Sequence, residues 1–216
     1  MSWPRERQRQ TILSACFHRG KLHTLKDAIR NGSITLGALR EQMPNTPLFY
    51  ACQIGRIETV RWLCQQGCAD QVSLRVDGYP SPMHIACFCG HLGVARFLWK
   101  SGARDDLGRY DEDTGMLPLH AAVLANRRDV ALWIRDVCLP SRKNECFNML
   151  TRKGTSPLDI CSAMGHLNLA NVLKNYGAKH GSRLPTLHGI GNYSKRAMDE
   201  REKASKFCAV SLWRGP

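Results

Sequence analysis

Apolar residues recur three apart in four short stretches: Leu22, Leu25 and Ala28; Ile57, Val60 and Leu63; Leu92, Ala95 and Leu98; Leu167, Ala170 and Leu173. That spacing predicts a helix with one buried stripe. Each stretch closes on a glycine, at Gly32, Gly67, Gly102 and Gly177. Upstream of each stands a second segment with its own start signal, and a fifth start, at Leu117, precedes a less regular stretch. The starts are Thr11-Ile12-Leu13, Thr46-Pro47-Leu48, Ser81-Pro82-Met83, Leu117-Pro118-Leu119 and Ser156-Pro157-Leu158, spaced by 35, 35, 36 and 39 residues. Ser or Thr accepts a hydrogen bond from a first-turn amide, and proline at the first helical position lacks the amide that would be orphaned. Nine residues after each start comes a stop signal, Gly20, Gly55, Gly90, Asn126 and Gly165. Glycine, and asparagine after it, reaches the left-handed conformation that ends a helix.

Five copies of this pattern predict an all-α repeat protein of helix-turn-helix units. The fourth copy is the least regular: Leu117 offers no cap, Arg128 stands where the other stripes begin with Leu or Ile, and Cys138 replaces the closing glycine. Ser81-Pro82-Met83-His84-Ile85-Ala86 with Gly90-His91-Leu92, Leu117-Pro118-Leu119-His120-Ala121-Ala122, and Ser156-Pro157-Leu158-Asp159 with Gly165-His166-Leu167 resemble the ankyrin repeat. The resemblance covers about residues 10–178. It implies a solenoid of five helix pairs joined by projecting hairpin loops, stacked into a curved array with a concave binding face. Repeat 1 departs from the pattern at Ile12 and Ser14 and repeat 2 at Phe49, which suggests a capping role for the first unit. About six extra residues near Leu139–Asn144 read as surface slack or a binding finger.

Three segments follow: 1–9 as an N-terminal cap segment, 10–178 as the repeat domain with units beginning near 11, 46, 81, 117 and 156, and 179–216 as a C-terminal extension. The extension carries eight Lys and Arg against three Asp and Glu, so it is +5 and the remaining 178 residues hold the other +8. A helix is expected over 194–213, with Phe207, Val210 and Trp213 three apart, and basic residues Lys195, Arg196, Arg201, Lys203, Lys206 and Arg214 are candidate contacts.

The total of +13 among 216 residues favours an acidic partner surface. A hydrophobic share of 43% with 23% charged residues is ordinary for a globular chain, and no apolar run approaches the length of a membrane span. The first ten residues hold no apolar run of the secretory kind, so a cytoplasmic setting is expected, with cytoskeletal, nuclear or organellar assemblies left open. The arginine-rich start also fits a mitochondrial presequence, although repeat-like sequence begins by Thr11. Ten cysteines without a secretory signal read as reduced thiols.

His84, Cys87, Cys89 and His91 have metal-ligand chemistry, but they fall on repeat positions that point in different directions, so no metal is expected. No Cys/His pair stands outside the repeat logic, and no phosphate-binding glycine loop has the required context, so no catalytic residue, cofactor or small-molecule substrate is expected. The acids Asp111, Glu112 and Asp113 read as a solvated loop. The resemblance places the binding face along the hairpin tips and the last turns of the first helices. There Gln53, Ile54, Phe88, Cys89, Leu124, Ala125, Ala163 and Met164 form an apolar row, with Tyr79, Met116, Arg152 and Lys153 at the tips. An exposed row of this kind marks a protein partner. Most other cations, including Arg61, Arg96, Lys100, Arg128 and Lys174, fall on or beside the second helices. A non-catalytic scaffold or adaptor is therefore expected, with a nucleic-acid-associated component as the alternative and a targeting subunit of an enzyme complex as the third reading.

Overall fold

Hydroxyl caps and proline fix where most first helices begin. Thr46 Oγ1 accepts from the amide of Phe49 at 3.2 Å, Ser81 Oγ from that of His84 at 3.4 Å, and Ser156 Oγ from that of Asp159 at 3.1 Å. At Leu117 the missing hydroxyl is replaced from inside the helix, because His120 Nδ1 accepts from the Leu117 amide at 3.2 Å. The computed structural model describes residues 4–18, 21–40, 46–76, 79–137 and 146–181. Gly20, Cys138, Leu139–Asn144, the expected helix 194–213 and all six basic candidates of the extension lie outside the described residues.

Among the described residues the helices are α1 (Arg5–Phe17), α2 (Leu22–Arg30), α3 (Pro47–Ile54), α4 (Ile57–Leu63), α5 (Pro82–Cys89), α6 (Leu92–Lys100), α7 (Pro118–Leu124), α8 (Arg128–Val137), α9 (Pro157–Met164) and α10 (Leu167–Asn175), with no strand. No helix among these residues is long and apolar enough to cross a membrane. The expected stops appear at Gly55, Gly90 and Gly165, with φ of +78°, +85° and +73°. Asn126, at +58°, is the one non-glycine residue with positive φ among the described residues, and it ends α7 as glycine ends the others.

The first helix corrects one boundary. Thr11 does not cap it: α1 begins at Arg5, and the Thr11 hydroxyl donates instead to the Arg7 carbonyl one turn back at 3.0 Å. Residues 5–9 therefore belong to the first helix rather than to a separate cap segment. Among the described residues α1 packs on α2 and α3, and it runs longer than α3, α5, α7 and α9.

Each odd-numbered helix packs on the next, α1 to α3 to α5 to α7 to α9, and each also packs on its own even-numbered partner. Helices α4, α6 and α8 touch in turn behind that file. The core lies between the two files. Leu25, Ala28, Val60, Leu63, Ala95, Leu98, Ala170 and Leu173 are all buried there, each large aliphatic side chain contributing about 2 kcal/mol by leaving water. The first position of each stripe is not core: Leu22, Ile57 and Leu92 are half-exposed and Leu167 is 74% exposed. Arg128 is thus no defect in α8, whose buried face is Val130, Ala131, Trp133 and Ile134. The start of the extension is tied down, since Lys179 donates its amide to Asn148 Oδ1 at 2.8 Å and Gly181 donates to Asp159 Oδ2 at 2.9 Å.

Candidate functional site

Adjacent repeats are stitched by side chains that reach carbonyls of their neighbours. His84 Nε2 donates to the Met116 carbonyl and His120 Nε2 to that of Met149, each at 3.0 Å. Beyond the helix stops, His91 donates to the Gln53 carbonyl, Arg127 to that of Phe88 and His166 to that of Leu124, each at 3.0 Å. A carbonyl only accepts, so these histidines carry their proton on Nε2. His84 Nδ1 then accepts from Ser81 Oγ at 2.8 Å, which leaves neither ring nitrogen for a metal. Burial pushes the His84 pKa below 6.5, against the pull of buried Asp111, and burial likewise lowers that of His91. Both rings are held neutral because their job is to pair with main chain.

The cysteines are packing residues. None of the eight in the described region forms a disulfide, and six of them are buried. Burial raises the Cys64 pKa to about 11 and that of Cys161 to about 12, so neither supplies a thiolate at neutral pH.

The apolar row is only partly on the surface. Ile54, Cys89, Ala125, Ala163 and Met164 are half-buried at the ends of α3, α5, α7 and α9. Phe88 and Leu124, expected to be exposed, are 6% and 2% accessible, and Met116 is fully buried rather than at a tip. The physical reason is the stitching itself: Arg127 and His166 hold the Phe88 and Leu124 carbonyls, drawing the next repeat over their side chains. Met116 sits where its carbonyl accepts from both His84 and the Asp111 amide, the latter at 2.7 Å. Tyr79 is half-buried with its ring edge-on to Phe49 at 5.8 Å. Arg152 and Lys153 are exposed on a hairpin closed by the Thr151 amide donating to the Thr155 carbonyl at 2.9 Å. That hairpin docks on the preceding one through the Arg152 amide and the Gly115 carbonyl, also 2.9 Å.

A cleft of about 160 Å³ between two hairpins was not anticipated. Arg75, Tyr79, Ser81, His84, Asp111 and Glu112 line it, and Arg75 pairs with Glu112 at 3.0 Å across its mouth. Asp111 is not solvated as expected: it is 7% accessible and accepts from the Thr114 hydroxyl at 2.6 Å and the Thr114 amide at 2.9 Å. A sequence signal for this cleft exists. Arg75 and Asp111 each lie six residues before the start of a repeat, and stacking brings equivalent positions side by side. The acid at 111 is consumed by its own turn, which leaves Glu112 to meet the arginine.

Residues 11–109 match the family model of ankyrin repeats, in three copies. No curated protein matches the chain.

Proposed function

Residues 11–109 are ankyrin repeats, modules that mediate protein–protein contact and are typically non-catalytic, and from that premise we propose that all five helix pairs form one adaptor platform. Pairs four and five, beyond residue 109, follow the same logic: proline at Pro118 and Pro157, a left-handed stop at Asn126 and Gly165, and His120 and His166 bonded to a neighbouring repeat. The platform holds a protein segment along the last turns of its first helices and its hairpin tips, with Ile54, Cys89 and Met164 as apolar contacts and Tyr79, Arg152 and Lys153 flanking them.

The observation that carries this reading is the recurrence of half-buried apolar residues at one position in successive repeats, on a file of helices in mutual contact. Side chains already packed on one side lose little freedom on binding, which suits them to anchor a partner. The excess of positive charge gives the same adaptor a second contact with an acidic neighbour.

The test is the double variant Ile54→Asp with Met164→Asp, compared with the wild-type chain in affinity purification and by thermal melting. Loss of the captured partners with the helical melt retained is the expected result. Undiminished capture by a folded variant overturns the proposal. Phe88 and Leu124 are unsuitable for this test, because charge at either would disrupt the core.

A further inference from the structure

The second helices present a cluster of cations of a different chemistry from the row above. Arg61 on α4, Arg96 and Lys100 on α6, and Arg104 just after α6 are all exposed. Two of them are fixed by aromatic rings: the Arg61 guanidinium lies 5.9 Å from the centre of Phe97 and that of Arg104 lies 4.8 Å from Trp99. Arg96 and Lys100 stand one turn apart on α6, with Cβ atoms about 6 Å apart, and flank the same rings. None of the four makes an ion pair with a carboxylate among the described residues. Glu58 and Asp105, the acids closest in sequence, do not reach them.

We propose that this face of α4 and α6 binds the phosphate backbone of nucleic acid. Four positive charges on one face, with no carboxylate partner among the described residues, repel one another in the free protein, and that repulsion is relieved by a polyanion. A guanidinium stacked on a ring keeps its N–H edge outward and pre-oriented, the geometry that suits phosphate oxygens. Phe97 and Trp99 are half-buried beside those guanidiniums, and the cleft described above lies on the hairpins instead. An acidic protein anchors on a well-exposed apolar centre, whereas the rings on this face, Phe97 and Trp99, are half-buried. Phosphate contacts need no pocket. The inference is independent of the protein-binding row, since none of the four residues belongs to it.

The experiment measures fluorescence anisotropy of a labelled 20-nucleotide poly(U) RNA with the full chain between 50 and 200 mM NaCl. Each phosphate neutralised on a single strand contributes about 0.7 to the slope of log affinity against log salt. Replacing all four residues by Gln is expected to flatten that slope by about 3, and the single changes Arg96→Gln and Lys100→Gln, which disturb no stacked guanidinium, by about 0.7 each. A slope unchanged in the fourfold variant, with its melting profile preserved, would place the binding on other basic segments and overturn the proposal. So would absence of RNA binding at 50 mM NaCl. Displacement of the RNA by polyglutamate at equal charge would assign the face to acidic protein instead.

Discussion

Helices α5 and α6 sit side by side in one repeat, at eight and nine residues, yet seven residues of α5 are buried against three of α6. Their settings explain the difference. α5 packs extensively on α3 and α7 and is backed by α6, whereas α6 touches α4 and α8 less extensively and turns Arg96 and Lys100 to solvent. A repeat array thus divides labour between its files. The first helices carry packing and the hydrogen bonds that join repeats, and the second carry the charge that sets long-range behaviour.

The comparison is broken most severely by emptying the first file. Leu124→Ala is expected to cost about 3 kcal/mol in urea denaturation, because a buried side chain is lost and a cavity left. Leu167→Ala, at the exposed head of α10, should stay within about 0.5 kcal/mol of wild type. Equal losses would show that accessibility does not separate the two files.

Next in size is the junction between files. Gly90→Ala is expected to cost about 2 kcal/mol, since φ there is +85° and a Cβ would lie 2.7 Å from Arg127 Cδ, disturbing the bond from Arg127 to the Phe88 carbonyl. At Gly177, where φ is +81° and the space is open, the backbone term alone remains and alanine should cost about 1 kcal/mol. A Gly90 loss no larger than the Gly177 loss would show that the arginine contact is slack.

The smallest effect is pH-dependent and sharpens the role of the inter-repeat histidines. His84 and His91 are less basic in the fold than in the unfolded chain, which takes up their protons near pH 6.5. Their contribution to stability is therefore complete above that pH and is lost as pH falls from there towards their folded values, by at most about 1.4 kcal/mol per pH unit for each ring. His91→Gln keeps an amide able to donate to the Gln53 carbonyl and removes one titrating group. Its melting temperature should match wild type near pH 7.5 and fall less steeply towards pH 5. An unchanged pH profile would clear His91 of any part in acid sensitivity.

Much of the frame was legible because it is written locally. Thr46, Ser81 and Ser156 cap within their own first turns, and Gly55, Gly90, Asn126 and Gly165 stop helices through their own backbone. The beginning of α1 was missed, because Thr11 matched the capping pattern while the residues before it continued the helix. The candidate row was half legible. Its spacing holds, but whether Phe88 or Ile54 faces water depends on how far the next repeat leans across. The cleft beside Arg75 was missed for a related reason: its two sides come from hairpins 37 residues apart, Arg75 on one and Glu112 on the other.

Sequence alone determined that this chain is helical, where α3, α5, α7 and α9 begin and end, and that it carries a large positive charge, since caps, stops, periodic stripes and formal charges act within a few residues. Only the tertiary structure decided that Phe88, Leu124 and Met116 are core, that Asp111 is spent on its own turn, and that Arg61 and Arg104 are braced on the rings of α6. Those outcomes rest on contacts between side chains and surfaces whose meeting is set by stacking geometry, which no single repeat encodes by itself.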